Sequence, residues 1–239
     1  MNNYKGLKIR SIETFGWKNA LYGMRLPKNS EHMLDSVIGF NEVILGANDF
    51  SLLLRLSKAG VAHRKVLRMI HVQASVTMPI SWWIQYDTYK VATTANSRSR
   101  MHKFGERPLT KEDFFLESLT FDNSRESFEK TLRLINSYIE LYKYEKENYL
   151  KQAYWSNALN LLPQTYLQER MIDLNYETLL AILELRYNEK LLTEWRFFCD
   201  SFLYECPYLF TIWQYTIGKD TNLDVNKLLE YFMEKTANE

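Results

Sequence analysis

Residues 70–78 read "IHVQASVTM", and they alternate without a fault. Ile70, Val72, Ala74, Val76 and Met78 fall on one side, and His71, Gln73, Ser75 and Thr77 on the other. A period of two is that of a strand with one buried and one polar face. Pro79 closes the strand, since proline donates no ladder hydrogen bond. "SWWIQYDTYK", residues 81–90, then reads as a helix with Ser81 as its N-cap. Upstream, "LKIRSIETFG" reads as a first strand. "NDFSLLLRLSKAG" reads as a short helix that Asn48 caps and Gly60 ends. Downstream, residues 124–150 give the strongest helix signal, with Phe128, Leu132, Ile135, Ile139 and Tyr142 in one apolar stripe. "LLP" at 161–163 interrupts. "YLQERMIDL" follows as a second strand, and "NYETLLAILELRYN" as a helix opened near Asn175. "LLTEWRFFCDSF" is a further helix, with Leu191, Trp195, Phe198 and Phe202 on one face. A last helix covers about 223–235. Strands mixed with long helices, without regular strand–helix alternation, predict an α+β fold: a mostly antiparallel sheet packed by long helices. No repeat or linker divides the chain, so one domain over 1–239 is expected.

Of the 239 residues, 46% are hydrophobic and 25% charged, the profile of a soluble globular protein. The two cysteines, Cys199 and Cys206, are too few for a disulfide framework or a zinc cluster. A reduced, cytoplasmic compartment is the default. The N-terminus lacks the apolar stretch of a signal peptide, and no run of about 18 apolar residues predicts a membrane span. Net charge is +1 but unevenly spread: residues 51–107 hold ten basic and two acidic residues. A concentrated basic block in a neutral chain points to a local anionic ligand more than to a nucleic-acid surface.

Metal chemistry has no support, because His32, His63, His71 and His102 never stand at ligand spacing with each other or with carboxylates. The phosphate-loop, nucleophile-elbow and dinucleotide glycine motifs are absent. Three stretches carry the site. "AGVAHRKVLR", residues 59–68, puts His63, Arg64, Lys65 and Arg68 before the alternating strand; it is either a solvated basic turn or an anion-binding rim. "TTANSRSR", residues 93–100, sets small side chains beside Arg98 and Arg100. Short hydroxyls and backbone amides can cradle phosphate oxygens, and arginine adds charge-assisted contacts. "ELRYNEKLLTEWR" holds Arg186 at the border of an apolar helix face, where a long arginine either snorkels or meets an anion.

Together these stretches resemble the flavin-dependent thymidylate synthases, the ThyX family, whose signature is R-H-R-x-x-S-x-N-E-x-S-x-R-Y. Laid without gaps on Tyr89–His102, it matches Asn96 and Ser99, with Thr94 in place of the first serine. The downstream pattern falls on Asn175, on Leu185-Arg186 and on Glu194-Trp195-Arg196, and the blocks keep their order over about residues 46–200. "HRKVLR", "WW", "DTYKV", "ANSRS" and "MHK" look like a divergent branch found among phage and gut bacterial sequences. Tyr89-Lys90-Val91 stands where the family has R-H-R. Ser97 stands for its glutamate, Met101-His102 for R-Y, Glu177 for the arginine of N-x-R, and Leu159 for an upstream arginine.

The resemblance implies reductive methylation of dUMP to dTMP. Methylenetetrahydrofolate gives the carbon and NADPH-reduced FAD the hydride, in a homotetramer with sites between subunits. It places Gln85, Tyr86, Tyr89, Ser97, Arg98, Ser99, Arg100 and Arg186 on the substrate. Arg186 is the catalytic residue, lying against the pyrimidine. It places His63, Lys65, Tyr89, Lys90, Asn96 and Asn175 on the flavin. The altered signature leaves two other readings: a hydroxymethylase acting on the same pyrimidine carbon, and a binding protein that has lost the flavin.

Overall fold

The alternating stretch forms the strand β4, His71–Pro79, in the computed structural model, which describes residues 4–39, 42–98, 106–187 and 192–217. Val72, Ala74, Val76 and Met78 are fully buried. His71 and Gln73 are exposed, and Ser75 and Thr77 half-buried. Three more strands complete a four-stranded sheet: β1 (Lys8–Phe15), β5 (Thr93–Ser97) and β6 (Leu167–Asn175), in the order β1-β4-β6-β5. A small antiparallel ribbon pairs β2 (Val37–Ile38) with β3 (Val43–Ile44). The helices are α1 (Trp17–Arg25), α2 (Ala47–Lys58), α3 (Lys65–Met69), α4 (Ile80–Tyr86), α5 (Asp122–Tyr144), α6 (Asn148–Asn160), α7 (Tyr176–Arg186), α8 (Leu192–Glu205) and α9 (Leu209–Ile217). This is the α+β mixture of helices and antiparallel sheet that the sequence predicts.

Two compact units emerge. The first takes Met1–Arg10, Ser75–Tyr89 and Ala95–Met171; the second takes Ser11–Ala74, Lys90–Thr94 and Ile172–Glu239. In the first unit, Phe128, Leu132, Ile135 and Ile139 of α5 are buried, as their spacing requires. They pack with Leu109, Phe114 and Ala158 into one cluster. Asn136 ties the loop at Leu109 to α5, giving and taking backbone hydrogen bonds of 2.9 and 2.8 Å. The helix expected over 124–150 breaks in two. Glu145 Oε1 accepts from the amides of Lys146 and Glu147 at 2.8 and 3.0 Å, which ends α5, and α6 packs back on it. Ser81 is not the cap of α4, which begins at Ile80 directly after Pro79. Its first amides, Ile80 N and Ser81 N, donate instead to the carbonyls of Tyr166 and Gln164 at 3.0 and 3.1 Å. Trp82, Trp83 and Tyr86 of α4 form a buried aromatic cluster.

In the second unit α1, α2, α3, α7 and α9 pack on one another. Asn48 lies inside α2 and does not cap it. The Asp35 carboxylate does, accepting from Asn48 N at 2.8 Å and Asp49 N at 3.0 Å. Gly46 is needed at that junction, since a Cβ there would sit 2.2 Å from the Asp35 side chain. Gly16, with φ of 87°, lets the chain turn into α1, where a Cβ would lie 2.1 Å from the Met69 carbonyl oxygen. Asn175 caps α7 as expected, Oδ1 accepting from Thr178 N at 2.9 Å. Trp195, Phe198 and Phe202 share the buried face of α8. Leu191 and the helix expected at 223–235 lie outside the described residues. Helices α1 and α9 were not legible in the hydrophobic pattern. Cys199 and Cys206 are buried free thiols, and burial pushes both up to about 12. They stay protonated and serve as packing atoms, not nucleophiles.

Candidate active site

The polar face of β4 meets that of β6. In the first unit Glu169 is the centre of this face. Its Oε1 accepts from Arg10 Nη2 at 2.9 Å and from Ser75 Oγ at 2.8 Å, and its Oε2 accepts from Arg98 Nη2 at 2.7 Å. Arg98 N also donates to the Glu169 carbonyl at 3.0 Å, which fixes the end of β5 beside β6. The Ser75 hydrogen bond, then the charges of Arg98 and Arg10, hold the Glu169 carboxyl below its ordinary pKa against the opposing effect of burial. Around it opens a cavity of about 1050 Å³, lined by Lys8, Arg10, Thr77, Arg98, Tyr166, Gln168 and Glu169, with Glu106, Arg107, Glu112 and Asp113 on its wall. Arg107 is held there by a two-pronged pair with Asp113, at 2.8 and 2.6 Å. Burial opposes ionisation of Asp113, but the Arg107 bond and the Thr110 amide outweigh it and lower its pKa.

A fourth arginine, Arg170, is committed to structure. Arg170 lies 4.3 Å over the Trp83 ring and donates to Asp87 at 2.8 Å. Asp87, one of the two acids in the basic block, is thereby accounted for. The tryptophan in turn donates from Nε1 to the Gln168 carbonyl at 2.9 Å.

Of the substrate residues expected from the sequence, Gln85, Tyr86, Tyr89, Ser97 and Arg98 belong to this first unit. Arg98 lines the cavity. Asn96 and Ser97 are exposed on β5, which stands at the sheet edge. Tyr86 is only 2% exposed, stacked on Trp82 at 5.1 Å, and Tyr89 leans on it at 6.5 Å. Ser99 and Arg100 lie outside the described residues. The sequence reading missed Lys8, Arg10 and Glu169. A signal existed: the period of two puts Lys8 and Arg10 on one face of β1, and Glu169 and Asp173 on one face of β6.

The second unit holds His63, Lys65, Lys90, Asn175 and Arg186. The basic turn is divided in its use. Arg64 Nε donates to the Ser57 carbonyl at 2.6 Å. Arg68 pairs with Glu177 and donates to the Val61 carbonyl at 2.6 Å. Those two cations brace the turn, while His63 and Lys65 remain exposed. Arg186, half-buried on α7, sets its guanidinium 5.1 Å over the Trp195 ring. That contact fixes the fork on an apolar face. Close by in sequence, burial raises the pKa of the Glu194 carboxyl. On the same sheet face His71 Nδ1 is 3.0 Å from Asp173 Oδ1, whose other oxygen accepts from Gln73 at 2.8 Å. Among the described residues no group of three or more His, Cys, Asp or Glu is placed to hold a metal ion. Nor is any helix there long and apolar enough to cross a membrane.

No protein-family model and no curated protein matches the chain. Solved structures do. Thymidylate synthase X (ThyX) from Helicobacter pylori with FAD and dUMP is similar with a TM-score of 0.62 at 15% identity, over 88% of this chain and 99% of that one. A second structure, flavin-dependent thymidylate synthase ThyX from Helicobacter pylori complexed with FAD and dUMP, gives 0.61 at 13% identity, over 86% and 97%. At these identities the likeness establishes the fold.

Proposed function

We propose that the chain is a flavin-dependent thymidylate synthase-like enzyme, cytoplasmic and tetrameric, that methylates dUMP with methylenetetrahydrofolate and NADPH. The observation that carries this reading is the likeness over nearly the whole length of two structures holding FAD and dUMP. The signature blocks of the sequence support it, as does Arg98 on the wall of a cavity of about 1050 Å³, large enough for a nucleotide.

The exposed donors fit the flavin's anionic half. Lys65 and Lys90 make no ion pair among the described residues, and with His63 they suit a pyrophosphate. Asn175 is only 5% exposed and its Oδ1 accepts from Thr178 N in the helix cap, which leaves the amide N–H groups as its donors. FAD, when bound and reduced, supplies the hydride. The protein's own part is binding and electrostatics. Arg98, with Ser97, Ser99 and Arg100, orients the nucleotide, Asn96 serves the flavin, and Gln85, Tyr86 and Tyr89 shape the nucleotide's surroundings. Arg186 presents a planar, permanently charged fork to the pyrimidine's carbonyl edge and stabilises negative charge growing there.

The test is retention of flavin. The purified chain, incubated with FAD and passed through a desalting column, is expected to carry the visible absorption of oxidised flavin, and dUMP is expected to raise its melting temperature through linkage. A folded protein that elutes colourless and melts unchanged with dUMP would remove the reading.

A further inference from the structure

Three donors from three chain segments converge on one carboxylate at Glu169: Arg10 from β1, Ser75 from β4 and Arg98 beyond β5, at 2.9, 2.8 and 2.7 Å. Two guanidiniums and a hydroxyl meeting at one anion are the parts of a phosphate site. Here the anion is internal. The arginines are 59% and 70% exposed, so water screens both ion pairs and holds them weakly. Both arginines line the open cavity, so a competing anion can reach them. Lys8, two residues along β1 from Arg10, lines the same cavity and makes no ion pair among the described residues. Lys8, Arg10 and Arg98 outweigh Glu169 by two charges, which matches a phosphomonoester dianion. The other cation on the wall, Arg107, is already spent on Asp113. Glu106 and Glu112 bring the lining as a whole close to neutrality, so anion preference must come from this cluster.

We propose that Lys8, Arg10, Ser75 and Arg98 form the phosphate cradle of a phosphomonoester ligand, and that the Glu169 carboxylate occupies the cradle until the ligand displaces it. This rests on the nucleotide reading above for the identity of the ligand, but its chemistry is that of any phosphomonoester. A phosphate brings more charge than a carboxylate and a third terminal oxygen for the third donor, so it wins the exchange. Glu169 then acts as a built-in competitor. It keeps two like-charged arginines together in the empty site and sets a threshold that neutral or singly charged ligands do not cross.

Calorimetric titration of the full chain with inorganic phosphate, dUMP and deoxyuridine tests this, with melting curves to verify folding. Glu169→Gln is expected to bind phosphate and dUMP about tenfold more tightly, since one competing charge is gone. Arg10→Ala is expected to bind both about tenfold more weakly. Equal or weaker binding by Glu169→Gln, or unchanged binding by Arg10→Ala, overturns the proposal. Should Glu169→Gln fail to fold, Lys8→Ala decides: weaker phosphate binding supports the cradle, unchanged binding overturns it. If phosphate follows this order while dUMP binds no better than phosphate, the cradle stands and the nucleotide reading fails. If dUMP binds well and no variant alters its affinity, the nucleotide reading stands and the cradle fails.

Discussion

Asp49→Ala is expected to lower the unfolding free energy by about 3–5 kcal/mol, the scale of leaving one buried ion without its partner. Asp49 and Arg25 are buried, and Arg25 Nε donates to Asp49 Oδ1 at 2.6 Å. The other oxygen, Oδ2, accepts from the amides of Asp35 and Ser36 at 3.1 and 3.0 Å and from Ser36 Oγ at 2.6 Å. One carboxylate therefore joins α1, α2 and the segment before β2. Truncation strands a guanidinium and two amides away from water. Asp49→Asn keeps acceptor capacity but no charge, and its loss is expected to be smaller. The pH dependence has a defined sign. Burial works to raise the pKa of Asp49, but the bonds from Ser36 and Arg25 outweigh it and hold it below the ordinary value. Its stabilisation is thus complete above the unfolded-state pKa and lost as pH falls through the folded one. Denaturant melts of the two variants and the wild type, at neutral and acid pH, measure both effects; equal midpoints at neutral pH would show that the pair carries no stability.

The second large effect is on turnover. Arg186→Lys is expected to stay folded and to lose about 100-fold or more in dUMP-dependent NADPH oxidation, the scale of removing one preorganised donor. Arg186 borders the apolar face of α7 that buries Leu179, Ile182 and Leu183, and its fork lies over Trp195. Lysine keeps the charge but loses the planar fork and its stacking. A purely structural arginine gives the opposite pattern: a lower melting temperature and unchanged oxidation. Melting temperature and oxidation rate, read on the same preparation, separate the two.

The elements that local pattern alone decides were the legible ones. β4 shows its period of two, α7 its Asn175 cap, and α8 its aromatic face, and each stands where the residues put it. What failed depended on partners remote in sequence. Nothing near Asn48 reveals that Asp35, thirteen positions earlier, caps α2. Nothing near Ser81 reveals that Gln164 takes its amide. The break after Tyr144 lacks glycine and proline, and comes from a glutamate folding onto its own backbone. The site behaved alike. Counting charge over 51–107 found Arg98, but that count excludes Lys8 and Arg10 on β1, which only β4 separates from β6. It also counted Arg64 and Arg68 in the same basic block, although a carbonyl and Glu177 had already claimed them. Charge patterns report composition; only the fold assigns each charge a partner.

The most direct test of the account is formation of dTMP. The wild-type chain, given dUMP, methylenetetrahydrofolate, NADPH and FAD, is expected to accumulate dTMP, identified by mass, and to stop when any one of the four is withheld. A folded, flavin-loaded preparation that leaves dUMP unchanged would contradict it.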